Sequence, residues 1–451
     1  MTSRRDQLQS YQFMNQRVVS AFVMRETDPA QSPLRRGIGA LFGGLMVAIL
    51  VAAGFGIYGI LTRTGTDRWR ADGSVVVERE TGASFVYLRN RLNPALNFAS
   101  AKLAAGRPNP PVFRVSAKSL TDVPRGVTIG IAGAPASLPE PSRQVRLPWT
   151  MCTVPGNEAP SVLLVASAGP PGAALGDRGL LVTTGDDIHL VTQGRKHQIR
   201  NPRVTVAALF GAAQPVRAGA AWLNALPSGA DIAPVGVDDR GDPSAAAPDF
   251  DNGDVLVTNT GSGKQFWLIV DDGRAPITAL QQAVLAAAFP GEPEEISVNE
   301  LTRIPESDAL NGNDAAAQPP AAVPSLAAVP PGQSACAITR EAAAAPEVTV
   351  GGSPAGFAAA IPTTGAEADG QPLADAVQVP AGRFALIRAP GGFLLITDTG
   401  VRHAVPDADV LAMLGYSAGN AIVVPPALVS AIPAGVTLDP AAAVKAAPTV
   451  N

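Results

Sequence analysis

Cysteine, histidine and aromatic residues are all scarce in this chain of 451 residues. There are two cysteines and three histidines, and only 5% of the residues are aromatic. Two cysteines are too few for a disulfide-rich scaffold, and the histidines lack the spacing of a metal site. Few aromatic rings are available to stack on sugars. We therefore predict no metal and no cofactor.

Charged residues are also few, and their distribution is uneven. They make up 16% of the chain, which has a formal net charge of −4. Residues 1–70 contain nine arginines and four acidic residues, a net charge of +5, so residues 71–451 carry −9. This acidic balance disfavours binding to nucleic acid through its phosphates.

One apolar run is long enough to cross a membrane. Residues 38–61 contain no charged residue, and as a helix they would span roughly 36 Å, more than a hydrocarbon core of about 30 Å. A cleaved signal peptide is the alternative, but its apolar run is usually shorter. Six arginines precede the run. We therefore predict a permanent anchor with a cytosolic N-terminus and the larger part of the chain outside.

Gly39 and Gly43 form a pair of small residues four positions apart within this run. Such pairs let membrane helices approach closely. Glycine is also common in membrane helices in general, so helix packing and simple composition both remain open as explanations.

Residues 1–37 predict one short amphipathic helix followed by a linker. Ser3 and Asp6 fit a capping box at its start. Apolar positions recur on one face, a set that we call the α1 stripe: Leu8, Tyr11, Met14, Val18 and Phe22. A lone helix of this length is marginal in water. We expect the stripe to lie on the membrane or to dock on a partner, and we favour the partner.

A short motif recurs four times in the rest of the chain, as LTDVPRG, LNALPSG, LTRIPES and VSAIPAG. Each copy has two aliphatic residues, a proline and then, after one free position, glycine or serine. It is preceded by two apolar arms that flank a glycine-rich turn and then by a short helical segment. The pattern predicts four β-β-α-β repeats, at residues 74–126, 161–229, 254–307 and 382–436.

The segments between the repeats are irregular and rich in proline, alanine and glycine. We expect 127–160, 230–253 and 308–381 to build a central region, the last with an Ala/Pro-rich linker, and 437–451 to form a disordered tail. Cys152 and Cys336 lie in the first and last of these segments. A lone pair on the oxidising side of a membrane favours a disulfide, with two buried thiols as the alternative.

No enzyme motif stands out in the sequence. The nearest to a phosphate loop is TNTGSGKQ at 258–265, but Thr258 replaces its first glycine and Gln265 stands where a hydroxyl is needed. We interpret it as a hairpin turn. The acidic segment 238–254 lacks the ligand spacing of an EF-hand and is expected to be a solvated loop. No catalytic residue is predicted.

The chain as a whole resembles the EccB family, the single-pass membrane component of type VII (ESX) secretion systems in mycobacteria and related bacteria. The repeats and the cysteine pair match it, as do positions near the N-terminus: Tyr11, Phe13, Arg17, Ala21, Val23, Arg25 and PLRR before the anchor. The resemblance implies an elongated, distorted propeller-like periplasmic body around a central domain closed by a disulfide. It also implies membrane partners of the EccC, EccD and EccE types, with the mycosin protease as a further candidate.

The predicted fold is therefore α+β and β-rich, with one membrane helix and four repeats. The predicted function is that of a structural subunit in the inner membrane, organising the outer side of an export channel. A cell-wall-binding module is the first alternative, because the family's repeats are similar to a phage-lysin subunit that binds cell wall. An ATPase is the second, because family members are sometimes given that label.

Overall fold

The computed structural model describes residues 3–25, 34–62, 67–261, 263–310, 319–364, 367–368 and 370–447. It is a mixed α+β structure in which open β-sheets dominate. Its α-helices are α1 (Arg4–Met24), α2 (Leu34–Thr62), α3 (Phe98–Ala104), α4 (Pro202–Phe210), α5 (Ala220–Ala225), α6 (Ala279–Ala288), α7 (Val298–Leu301), α8 (Ala408–Leu414), α9 (Pro426–Ser430) and α10 (Pro440–Ala443).

The strands follow the same order along the chain. The first twelve are β1 (Ser74–Glu78), β2 (Ser84–Leu88), β3 (Arg91–Ala95), β4 (Val112–Val115), β5 (Trp149–Thr153), β6 (Ser161–Leu164), β7 (Ala173–Ala174), β8 (Leu180–Thr184), β9 (Asp187–Thr192), β10 (Arg195–Gln198), β11 (Val216–Arg217) and β12 (Val255–Thr260). The remainder are β13 (Gly263–Val270), β14 (Gly273–Ile277), β15 (Glu294–Glu295), β16 (Ser334–Thr339), β17 (Glu347–Gly352), β18 (Ile361–Pro362), β19 (Glu367–Ala368), β20 (Gln371–Pro372), β21 (Ala376–Gln378), β22 (Phe384–Ala389), β23 (Gly392–Thr397) and β24 (Arg402–Val405).

Three four-stranded sheets share one topology. Their strand orders are β3-β2-β1-β4, β10-β9-β8-β11 and β14-β13-β12-β15. In each, three strands run as an antiparallel meander, a helix follows, and a last strand returns beside the first, which it joins in parallel in the second and third sheets. A fourth sheet, β22-β23-β24, contains the same meander. The repeat boundaries given above remain predictions.

Each meander has at least one strand more than the sequence predicted. No strand was predicted between the second apolar arm and the helix, where the structure has β3, β14 and β24; in the second repeat neither β9 nor β10 was predicted. The third strands, β3, β10, β14 and β24, have the sequences RLNPA, RKHQ, GRAPI and RHAV, which mix charged residues, proline and small residues. They lack the apolar run that marks a strand in sequence, and their neighbours in the sheet supply the pairing instead.

The proline motif joins the outer edge of this third strand in all four cases. The carbonyl of each motif proline accepts a hydrogen bond from the strand: Leu92 to Pro124 (2.9 Å), Lys196 to Pro227 (3.0 Å), Arg274 to Pro305 (2.8 Å) and Arg402 to Pro433 (3.0 Å). The backbone N–H of the Gly or Ser two positions later donates a hydrogen bond to the carbonyl of the same strand residue. The motif recurs because proline ends a short helical turn and its carbonyl then extends the sheet in parallel.

A seven-stranded sheet, β18-β21-β6-β5-β16-β17-β7, is built from segments between the repeats together with β6 and β7, which lie within the predicted second repeat at 161–229. Its buried face carries Trp149, Met151 and Leu163, which share one core with Trp222 of α5 and Leu428 of α9. A second core joins α3 of the first repeat to β22 and α8 of the fourth. A third joins α4 of the second repeat to α6 of the third.

The chain end differs from the predicted disordered tail. Residues 437–447 are ordered: Leu438 and Ala443 are fully buried, and α10 packs in the core shared by the first and fourth repeats. Ala446 pairs with Ile129. Alanine and proline make up a composition typical of disorder, yet Pro440 suits the first turn of a helix and Ala443 packs in the core. Residues 448–451 lie outside the described residues.

Candidate functional site

α1 begins at the predicted capping box. The Ser3 hydroxyl accepts a hydrogen bond from the helix, and the Ser3 N–H donates to Asp6 Oδ2 at 3.0 Å. This arrangement satisfies helix donors that otherwise lack a partner, so it fixes the start of the helix at Arg4.

The α1 stripe is exposed along its whole length. Its side chains are 62% (Leu8), 66% (Tyr11), 64% (Met14), 53% (Val18) and 87% (Phe22) exposed. Phe13, on the other side of the helix, is also 57% exposed and lies under the Arg17 guanidinium. Exposed apolar rows of this length are typical of contact surfaces, and the docking role of the stripe stays a prediction.

α2 is the helix that can cross a membrane. Among the described residues, the segment Gly37–Tyr58 alone is long and apolar enough, with 22 residues, a mean hydropathy of 2.3 and no buried part. It would span about 33 Å. Gly39 and Gly43 stand one turn apart, and a Cβ on either would meet no atom within 4 Å. The same holds for four other glycines on this exposed helix, Gly37, Gly44, Gly54 and Gly56. The packing role of Gly39 and Gly43 therefore stays a prediction.

Cys152 and Cys336 form a disulfide across neighbouring strands of the seven-stranded sheet. They face each other in the antiparallel register of β5 and β16, with Cα atoms 4.0 Å apart. Both are buried, beside Val162, Leu164 and Phe357. The bond joins positions 184 residues apart, so it ties two distant chain segments into one sheet.

Two buried histidines support the proline motifs, a role that the sequence analysis missed. Nδ1 of His197 donates to the Ala230 carbonyl at 2.8 Å, and Nδ1 of His403 donates to the Val436 carbonyl at 3.0 Å. Burial lowers the pKa of both imidazoles, and the backbone hydrogen bonds oppose the shift in part. The two histidines stand at equivalent positions in β10 and β24. This equivalence could have indicated their shared role, but only after the third strand of each meander had been recognised.

A buried lysine links the first and fourth repeats. Lys102 of α3 is 9% exposed, and its Nζ donates to the Leu414 carbonyl at 2.7 Å. Leu414 ends α8, where helix carbonyls carry partial negative charge. Burial lowers the pKa of Lys102.

The segment resembling a phosphate loop is a β-hairpin, as predicted. Thr258 of β12 pairs with Gln265 of β13, and the strands continue on both sides of the turn. A phosphate loop instead leads from a strand into a helix N-terminus. Within the described ranges no group of three or more His, Cys, Asp or Glu side chains can hold a metal ion.

Similar proteins carry the ESX designation. ESX-2 secretion system ATPase EccB2 of Mycobacterium tuberculosis is 30% identical over 305 residues, covering 63% of this chain and 59% of that protein. ESX-3 secretion system ATPase EccB3 of Mycolicibacterium smegmatis is 25% identical over 478 residues, which cover 96% of this chain and 89% of that protein. The matched part of this chain thus spans about three fifths of the ESX-2 relative and most of the ESX-3 relative.

Solved structures share the fold. A chain of the intact ESX-5 inner membrane complex superposes with a TM-score of 0.67 at 23% identity, covering 100% of this chain and 96% of that one. A chain of the EccB3 dimer from the ESX-3 core complex gives a TM-score of 0.65 at 23% identity, and the match covers 83% of this chain and 100% of that one. The family of the type VII secretion system ESX-1 transport transmembrane domain B matches residues 1–451. With its apolar helix, its repeated sheets and its buried cystine, the chain belongs to this family, the EccB family.

Proposed function

We propose that this protein is a structural subunit of a type VII secretion complex in the bacterial inner membrane. α2 anchors it, α1 docks on other membrane subunits, and the repeats organise the outer side of the channel. The observation that carries the proposal is the pairing, in one chain, of an exposed apolar stripe on α1 with one exposed apolar helix of membrane length. The partners that fit are subunits of the EccC, EccD and EccE types, with the mycosin protease as a candidate outside.

Two features support an orientation with the N-terminus in the cytosol. Six arginines lie in residues 1–37, and positive residues are enriched on the cytoplasmic side of membrane helices. The disulfide lies after α2, and such bonds persist in oxidising compartments outside the cytosol. Protease added to intact spheroplasts should therefore remove the body and spare an epitope before residue 34. Protection of the body would contradict this orientation.

The docking role of α1 is tested by charging the stripe. In Met14→Asp/Val18→Asp the docked helix must bury two unpaired charges, which costs several kcal/mol. We expect this variant to lose co-purification with the other membrane subunits while its body still forms the disulfide. Gln9→Asp/Gln16→Asp adds the same charge at exposed positions on the opposite face and should assemble normally. Normal assembly of the Met14/Val18 variant would mean that α1 is not the docking element.

A further inference from the structure

The fourth strands of the second and third repeats occupy equivalent positions but have different surroundings. Val216 pairs with Val182 in the second repeat, and Glu294 pairs with Leu256 in the third. Ala218 and Ile296 then donate equivalent hydrogen bonds to Thr183 and Val257. Arg217 and Glu295 are therefore counterparts, one on β11 and one on β15.

The Arg217 groups that point away from β8 form hydrogen bonds within the chain. The Arg217 carbonyl accepts a hydrogen bond from Gly156 at 3.2 Å, and the Arg217 guanidinium donates to the Asn157 carbonyl at 3.2 Å. A segment near the seven-stranded sheet thus covers the edge of the second repeat. Covered edges are the usual means by which sheets avoid unwanted pairing.

Glu295 has no such cover among the described residues. Ile296 directs its N–H inward to Val257 at 3.0 Å, and neighbouring residues of a strand direct their backbone groups to opposite sides. The N–H and C=O of Glu295 therefore point outward, and nothing in the described part of the chain bonds to them. This leaves an open sheet edge at β15.

A groove runs beside this edge, with a volume of about 390 Å³. We call it the β15 groove. Its base is apolar and formed by Phe250, Ile296 and Ile304, which belong to the core of the third repeat. Its lining also includes a charged set that we call the rim: one arginine, Arg303, and four acidic residues, Asp249, Glu294, Glu295 and Glu300. Of these carboxylates, that of Glu295 accepts a hydrogen bond from Asn259 Nδ2. Hydrogen bonds from Ser297 lower the pKa of Glu300, so that carboxylate remains ionised in mildly acidic solution.

We propose that the β15 groove binds an extended, basic segment of a partner protein by strand addition. The segment bonds to the Glu295 backbone, places an aliphatic side chain on Phe250 and Ile296, and directs lysine or arginine to the rim. Alternation of side chains along a strand supplies both contacts at once. A second copy of this chain fits poorly, because residues 71–451 carry a net charge of −9. The surface lies on the body and is independent of α1 docking.

The test uses the full-length protein in lipid nanodiscs and a fluorescent peptide of alternating lysine and valine. Fluorescence anisotropy should show binding that weakens with salt. The same peptide with alternate backbone nitrogens methylated keeps its charge but loses its donors, and should bind at least about tenfold more weakly. Exchange of the Glu295 amide hydrogen should slow when the unmodified peptide is added.

The rim is tested with matched charge reversals. Asp249→Lys/Glu294→Lys should weaken peptide binding at least about tenfold, whereas Asp186→Lys/Glu341→Lys, at exposed acidic positions away from the groove, should leave it unchanged. Circular dichroism establishes that both variants fold. Equal binding by the methylated peptide or by the Asp249/Glu294 variant would overturn the proposal. Concentration-dependent self-association that this variant abolishes would identify a second copy as the occupant and would also overturn it.

Discussion

The imidazole of His403 lies directly against Gly435, where the fourth proline motif joins β24. A Cβ on Gly435 would lie 2.6 Å from His403 Cε1. Gly229 stands in the same relation to His197, and Gly126 to Asn93. In the third repeat the counterparts are Ala275 and Ser307, a smaller strand residue with a larger motif residue. The glycine of the motif is therefore required by the side chain that it faces.

Gly435→Ala should destabilise the fourth repeat by about 1–3 kcal/mol, the usual range for overpacking. Hydrogen exchange at residues 433–438 measures the effect. Gly291→Ala is the control, since a Cβ there meets nothing within 4 Å. The cost of Gly435→Ala should shrink but not vanish in a His403→Ala background, because the clash with the imidazole is then absent while Val401 Cγ1 still lies 2.6 Å from the added Cβ. An equal cost in both backgrounds would mean that His403 does not set the requirement for glycine.

The two motif histidines should make stability depend on pH. Burial lowers the pKa of His197 and His403, so the unfolded chain takes up their protons first as pH falls. Their full contribution is present above a pH of about 6.5 and is lost as pH falls through the lower folded-state pKa, by at most about 1.4 kcal/mol per pH unit for each ring. Arg195 also lowers the pKa of His197, and Asp231 raises it.

Denaturant unfolding at pH 7.5 and pH 5.5 checks this dependence. The stability lost between these two values should be smaller in His197→Asn/His403→Asn than in the wild type. Asparagine already occupies the equivalent position in the first repeat, as Asn93. The same loss in both proteins would show that other groups, such as His189, control the acid response.

Removing the disulfide should loosen the seven-stranded sheet more than any one repeat. Closing a loop of 184 residues contributes at most about 5 kcal/mol on the chain-entropy estimate. In Cys152→Ala/Cys336→Ala, hydrogen exchange should accelerate in β5, β6 and β16 before it does in β22–β24. Non-reducing mass spectrometry of the wild type should show Cys152 linked to Cys336, and two alkylatable thiols would contradict the bond.

Lys102→Met tests the link between the first and fourth repeats. Methionine keeps most of the buried packing but leaves the Leu414 carbonyl without its donor, a loss of about 1–3 kcal/mol. Lys264→Met, at an exposed position on β13, should have little effect on the free energy of unfolding. If the two variants are equally stable, the Lys102 hydrogen bond does not hold the repeats together.

The extent to which sequence predicted structure depended on the kind of signal. The uncharged run in α2, the capping box of α1, the cystine and the apolar arms of the first, third and fourth hairpins all have local signatures and were predicted correctly. In the second repeat the prediction was wrong: the apolar segment at its start is β6 of the seven-stranded sheet, and the hairpin is β8 and β9. The third strand of each meander has no such signature, because β10 (Arg195–Gln198) is polar and gains its order from pairing with β9. The buried side of α10 was missed because the Ala/Pro composition of the chain end is typical of disorder, and its order comes from packing against the first and fourth repeats. The role of Gly435 was missed because the contact that explains it lies 32 residues away in sequence, at His403.

The most direct test of the proposed function is the composition of the native complex. The chain, tagged at its C-terminus and expressed from its own locus, is extracted from membranes in mild detergent and purified for mass spectrometry and native mass measurement. The proposal predicts an oligomeric complex that contains EccC-, EccD- and EccE-type subunits in fixed ratios and that is lost in Met14→Asp/Val18→Asp. Extraction of the wild-type chain as a monomer without these subunits would contradict it.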